Sequence, residues 1–128
     1  VFEVDEWVHV AISVSSSGTV VGYVNGEQKV SADNRQGALP VNKPRHVNYL
    51  GKSEENSDGH FLGEMDNVRI WNSVRSAQEI VDNINIATAD MDNTDGLILG
   101  YDFTNSGTSS SEVPDLSGNN AYGNLKGF

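Results

Sequence analysis

The sequence predicts an all-β antiparallel sandwich with one short helix, and three observations carry that reading. Runs of β-branched and aromatic residues alternate with period two. Clusters of Gly, Asn, Ser and Asp separate those runs at the spacing that sandwich strands require. One capping-box motif marks one helix, far less than the helices of a parallel α/β sheet would need.

The elements follow in chain order. In residues 7–14, Val8, Val10, Ile12 and Val14 fall on one face and Trp7, His9, Ala11 and Ser13 on the other, which is a strand pattern. A polar turn at 15–18 leads to a second β-branched run over 19–24, and Asn25-Gly26 follows it directly. Asn-Gly between two such runs signals a tight hairpin, because both central residues of that turn take positive φ. Residues 27–30 are the return strand. Pro40 and Pro44 make 31–45 a loop. A short strand over 46–51 precedes a polar loop at 52–60, acidic at Glu54, Glu55 and Asp58, and a long strand over 61–71 comes next. Ser76-Ala77-Gln78-Glu79 fits the capping box, with Ala77, Ile80, Val81 and Ile84 forming one apolar side of the helix. After an acidic link at 87–95, Leu97, Leu99, Tyr101 and Phe103 align on a strand over 96–103. A Ser/Gly/Asn loop over 104–120 and a last short strand over 121–128 complete the chain, in which no internal repeat is visible.

Bulk properties narrow the function. At 128 residues the chain is the size of one domain. Eighteen acidic and eight basic residues give a net charge of −10, with no Lys/Arg cluster, so nucleic acid and anionic membrane surfaces are poor partners. The same acidity suits a protein that meets calcium, or one that simply needs a solubilising surface. Without cysteine there is neither a disulfide frame nor a thiolate metal site. No apolar run reaches the ~18–20 residues of a membrane span, and the opening residues do not read as a signal peptide.

Several blocks then resemble a known family. Trp7-Val8-His9-Val10-Ala11, Tyr23-Val24-Asn25-Gly26, Tyr49-Leu50-Gly51, Phe61-Leu62-Gly63-Glu64-Met65-Asp66-Asn67-Val68-Arg69-Ile70-Trp71 and Arg75-Ser76-Ala77-Gln78-Glu79-Ile80 resemble the laminin-G-like, concanavalin A-like domains, with a looser likeness to pentraxins. Each block is weak alone; their order and spacing over residues 1–85 make the resemblance specific. It implies an antiparallel jelly-roll sandwich and an extracellular or cell- or virion-surface module, binding glycan or protein rather than catalysing. Division into a laminin-G-like unit over 1–88 and an acidic link with closing strands over 89–128 follows. Family members carry several strands before the tryptophan–histidine block, and those are missing here. A larger parent polypeptide or assembly is therefore expected to cover the sandwich edge, or residues 96–128 to fill part of the gap by permutation. The alternative function is a structural one: a building block of a surface fibre, capsid decoration or multichain assembly.

Candidate chemistry is sparse. Laminarinase-type glycosidases share this fold and place acids at E-x-D-x-x-E; Glu64 and Asp66 match the first two, but Arg69 stands at the third position, so catalysis is not expected. His9, His46 and His60 are far apart and read as structural imidazoles. Calcium, the one cofactor considered, has two candidate sites. One is the oxygen-rich run Asp90, Asp92 and Asp95, which departs from EF-hand spacing and also reads as a solvated linker. The other is Asp115 with Asn119 and Asn105, where Thr104 stands in place of the acid that many relatives carry. For a glycan or protein ligand, Trp71 at a strand end is the candidate platform, and Asn34 and Arg35 in the 31–45 loop are the candidate polar contacts.

Overall fold

A computed structural model describes residues 3–33, 48–55, 57–103 and 111–125. Within them the elements are β1 (Val10–Val14), β2 (Thr19–Val24), β3 (Glu27–Asp33), β4 (Val68–Trp71), α1 (Ala77–Asn83), a 3-10 turn (Thr88–Asp90), β5 (Leu97–Tyr101), β6 (Glu112–Val113) and β7 (Gly123–Asn124). Every pairing is antiparallel: a β1-β2-β3 meander, a β4-β5 pair and a β6-β7 pair. The antiparallel β architecture with one short helix is the predicted class.

The meander turns where the sequence says it should. Asn25 and Gly26 both have positive φ, 50° and 78°, the combination a two-residue primed turn demands. Asn25 also locks the base of the hairpin, donating its N–H to the His9 carbonyl while its side-chain oxygen accepts from the His9 N–H. The turn is covered by α1: a Cβ on Gly26 would lie 2.7 Å from Val81 Cγ2 and 3.1 Å from Ile84 Cδ1. Helix packing onto the hairpin therefore needs glycine here twice over, for its backbone and for its missing side chain. The helix begins as predicted. Ser76 Oγ accepts from the Glu79 amide and Glu79 reaches back to the Ser76 N–H, a complete capping box.

Arg69 on β4 ties α1 and the 3-10 turn to the β4-β5 pair. Its guanidinium donates to Thr88 Oγ1 (2.9 Å), the Asn83 carbonyl (3.0 Å), Asn67 Oδ1 (3.1 Å) and the Ile86 carbonyl. Gly100 lies opposite Arg69 in the register, and a Cβ there would stand 2.8 Å from Thr88 Cγ2. Thr88 is accordingly buried. Among the described residues the buried hydrophobic set is small: Tyr23, Ile80, Leu97, Tyr101 and Val113.

The sheet of β1, β2 and β3 departs from the usual alternation. Its register places Val10, Ile12 and Val14 of β1 with Val20, Gly22 and Val24 of β2 and Val30 and Ala32 of β3 on one face, after a bulge between Gly22 and Tyr23. That largely apolar face, on which Glu27 stands opposite Val24, is the outward one: Val10, Ile12, Val14 and Val30 are 52%, 72%, 42% and 56% exposed. The opposite face carries Ala11, Ser13 and Tyr23 and is the more buried.

Other expectations shift in detail. The predicted strand over 46–51 is not seen over 48–51, and residues 46 and 47 lie outside the described residues. The long strand over 61–71 is reduced to β4, because residues 61–67 have no ladder partner among the described residues. The return strand runs on to Asp33, and the 104–120 loop contains β6.

Candidate functional site

A broad groove of about 2140 Å³ runs between two banks. One bank is the segment from Glu3 into β1; the other is residues 61–75, ending in β4 and the start of the helix. Trp7 stands on the first bank with 67% of its surface exposed, where a core role is the default for a strand aromatic. Phe61 and Leu62, 54% and 95% exposed, stand on the second. Trp71, the predicted platform, lies at the end of β4 and is half-buried, with the Arg75 guanidinium 4.3 Å from its ring centroid. Arg75 is held in turn by Glu79 at 2.9 Å. One face of the indole is thus occupied by a planar cation, which leaves a composite aromatic–guanidinium surface rather than a bare ring. Trp7 and Phe61 are the exposed aromatics that sequence reasoning passed over; periodicity pairs residues on a face but does not say which face meets water.

The histidine and the acids sort differently. His9 lines the groove with Nδ1 buried and without a hydrogen-bond partner among the described residues. Burial, then the Arg69 charge, hold its imidazole below the usual histidine range. Glu64 and Asp66 are both exposed on the second bank. Arg69, at the third position of the glycosidase pattern, is engaged in the structural hydrogen bonds described above.

The described candidate metal ligands Asp90, Asp92, Asp95, Asp115 and Asn119 sit in different settings. Asp90 ends the 3-10 turn, Asp92 and Asp95 are exposed, and the Asp95 amide donates to Asn93 Oδ1. Among the described residues no group of three or more His, Asp or Glu side chains could hold a metal ion. Asp115 is instead a hub for the fold. Its Oδ1 accepts from Gly100 N (3.0 Å) and Ser117 N (3.0 Å), and its Oδ2 from Ser117 Oγ (2.7 Å) and Ala121 N (2.9 Å). Four donors fill the roughly four lone-pair sites of an ionised carboxylate, so a cation would have to take oxygens already committed to the loop. Partial burial pushes the carboxyl up, but the hydrogen bonds from Ser117, Ala121 and Gly100 outweigh it and hold it at about 2. Asn119 turns its amide nitrogen to the Leu97 and Ile98 carbonyls and to Ser117 Oγ, fastening the same loop to β5. Asn34, Arg35 and Asn105 lie outside the described residues.

Residues 1–81 match the laminin-G-type model of the concanavalin A-like lectin/glucanases superfamily. The chain belongs to that superfamily. No curated protein and no solved structure gives a match. The matched region holds β1 to β4, both banks of the groove and most of α1. Membership makes this concanavalin A-like domain a carbohydrate- or protein-binding module by type, within a superfamily that also includes glycosidases. No helix among the described residues is long and apolar enough to cross a membrane.

Proposed function

We propose that this concanavalin A-like domain is a non-catalytic recognition module of an extracellular or surface protein, taking a glycan or protein ligand in the groove between β1 and residues 61–75. The observation that carries the reading is the apposition, across one groove, of exposed Trp7 and Phe61 with the Trp71–Arg75 pair. Exposed aromatic rings beside an oriented guanidinium supply contact area at low conformational cost together with directed polar contacts, the usual composition of recognition surfaces. Glu64 and Asp66 serve in this reading as solvated acids of the groove's bank. Tryptophan emission during titration with oligosaccharides and with extended peptides tests it directly. A ligand should shift the emission and lose at least tenfold in affinity in Trp71→Ala or Trp7→Ala. Binding that persists unchanged in both variants would place recognition elsewhere and sink the proposal.

A further inference from the structure

Asn25-Gly26 is the only Asn-Gly step in the sequence, and the fold holds both of its residues. His9 stands opposite Asn25, continuing the register of the Val10–Val24 pair. A hydrogen-bonded pair of an antiparallel ladder exchanges two backbone bonds. The Asn25 N–H makes the first, to the His9 carbonyl at 2.8 Å. With φ at 50° Asn25 has already entered the turn, and its side-chain Oδ1 replaces the backbone carbonyl, accepting from the His9 N–H at 2.9 Å. The side chain is therefore pinned back along the strand, although it is exposed to solvent. Gly26 lies under α1, against Val81 and Ile84.

An asparagine followed by glycine is prone to close on the next amide, because no side chain hinders the approach. The Gly26 nitrogen bonds to Asn25 Cγ, and ammonia leaves carrying the amide proton. Water then opens the cyclic imide at either carbonyl. Cleavage at Cγ leaves aspartate; cleavage at the backbone carbonyl leaves isoaspartate, whose chain runs through the side-chain carboxyl and whose α-carboxylate is free. The folded turn opposes the first step twice, since Cγ must leave the His9 N–H and the Asn25–Gly26 peptide must rotate out of its turn conformation. We infer that Asn25-Gly26 is a latent deamidation site, closed by the hairpin and by α1 and released only when the hairpin opens. The two products differ in effect. Aspartate keeps an acceptor for the His9 N–H. Isoaspartate adds a methylene to a two-residue turn on which Val81 and Ile84 leave no room, so α1 loses its seat.

The test uses the 128-residue chain, aged in mildly alkaline buffer with and without guanidinium chloride. Peptide mapping by mass spectrometry separates the Asn, Asp and isoaspartyl forms of residue 25. Conversion should run at least tenfold slower in the folded chain than in the unfolded one. Two variants should speed it severalfold in the folded chain: His9→Pro, which removes the N–H that Asn25 Oδ1 uses, and Ser76→Ala, which weakens the helix seated on the turn. Asn25→Asp should unfold close to the wild-type denaturant midpoint. The isoaspartyl chain, isolated by its added negative charge and refolded, should lose the slow amide hydrogen exchange of α1. Equal conversion in folded and unfolded chains overturns the inference, as does conversion that neither variant accelerates. An isoaspartyl chain whose α1 amides stay as protected as in wild type overturns the claim that the turn seats the helix.

Discussion

Replacing Asp115 by asparagine keeps the side chain's size but removes its charge and turns one acceptor oxygen into a donor. Whichever way the amide is oriented, two of the four donors now gathered there lose their acceptor: Ser117 Oγ and Ala121 N, or Gly100 N and Ser117 N. Lowering a carboxyl from 3.8 to about 2 corresponds to about 2.4 kcal/mol at ~1.36 kcal/mol per pH unit. Asp115 is only partly buried, and solvent screening reduces that to about 1–2 kcal/mol. Urea denaturation at pH 7 should show Asp115→Asn less stable by that amount, with a fall of roughly 4–8 °C in Tm at this chain length. The pH dependence supplies a second signature. Because the folded-state pKa lies below the unfolded value, the stabilisation is complete above about pH 4 and is lost as pH falls toward 2. Wild type should show that acid limb and the variant should lack most of it. The reasoning fails if the variant matches wild type within about 0.3 kcal/mol, or keeps the full limb. It fails equally if calcium raises the wild-type midpoint and not the variant's, since the carboxylate would then face a cation rather than the loop's amides.

Three further outcomes follow from the fold. Gly26→Ala should cost more than about 2 kcal/mol by equilibrium unfolding, because a φ of 78° and a contact with Val81 both oppose a side chain; adding Val81→Ala should recover the contact part, read as non-additivity in a double-mutant cycle. Ser76→Ala should cost about 1 kcal/mol in the same assay through loss of the helix cap, and little loss would show that α1 is held by packing alone. His9 is held below its unfolded pKa of 6.5, so the unfolded chain binds the proton more readily and stability should decline as pH falls below about 6.5. His9→Gln should flatten that decline between pH 7 and pH 5, and an unchanged profile would assign it to other groups.

Local chemistry was readable from the sequence wherever one short motif dictates one conformation. Asn25-Gly26 announces its positive φ pair, Ser76 and Glu79 announce a cap, and the alternation over 7–14 places Val10, Ile12 and Val14 together. What the alternation cannot carry is the sign of burial. A run of valines is expected to face a core, yet here that face is open while Ala11, Ser13 and Tyr23 turn inward, because the depth of a face depends on which layer covers it. Trp7 falls by alternation on the face of Ala11 and Ser13, yet it precedes β1 and stands exposed. Asp115 shows a different limit. An acid beside Ser117, Asn119 and Asn120 reads equally well as an oxygen-rich cation loop or as an Asx-turn, and no residue near it announces that the Gly100 and Ala121 amides also reach the carboxylate. The shortening of the 61–71 strand likewise depends on a ladder partner that no residue in that segment specifies.

The route by which the two main sheets form has a consequence for how the chain folds. β1, β2 and β3 are joined by tight local connections, and such hairpins close within roughly 1–10 μs. β4 and β5 meet only after α1 and the 3-10 turn have folded back between them, so their pairing bears the larger loop-closure entropy. Arg69 contributes its hydrogen bonds late, since its acceptors at Asn83, Ile86 and Thr88 all lie on that intervening stretch. The meander would then serve as the template on which α1 lands, with the Asn25–Gly26 turn as its landing point, and the β4-β5 pair would be the first part to open in the native state.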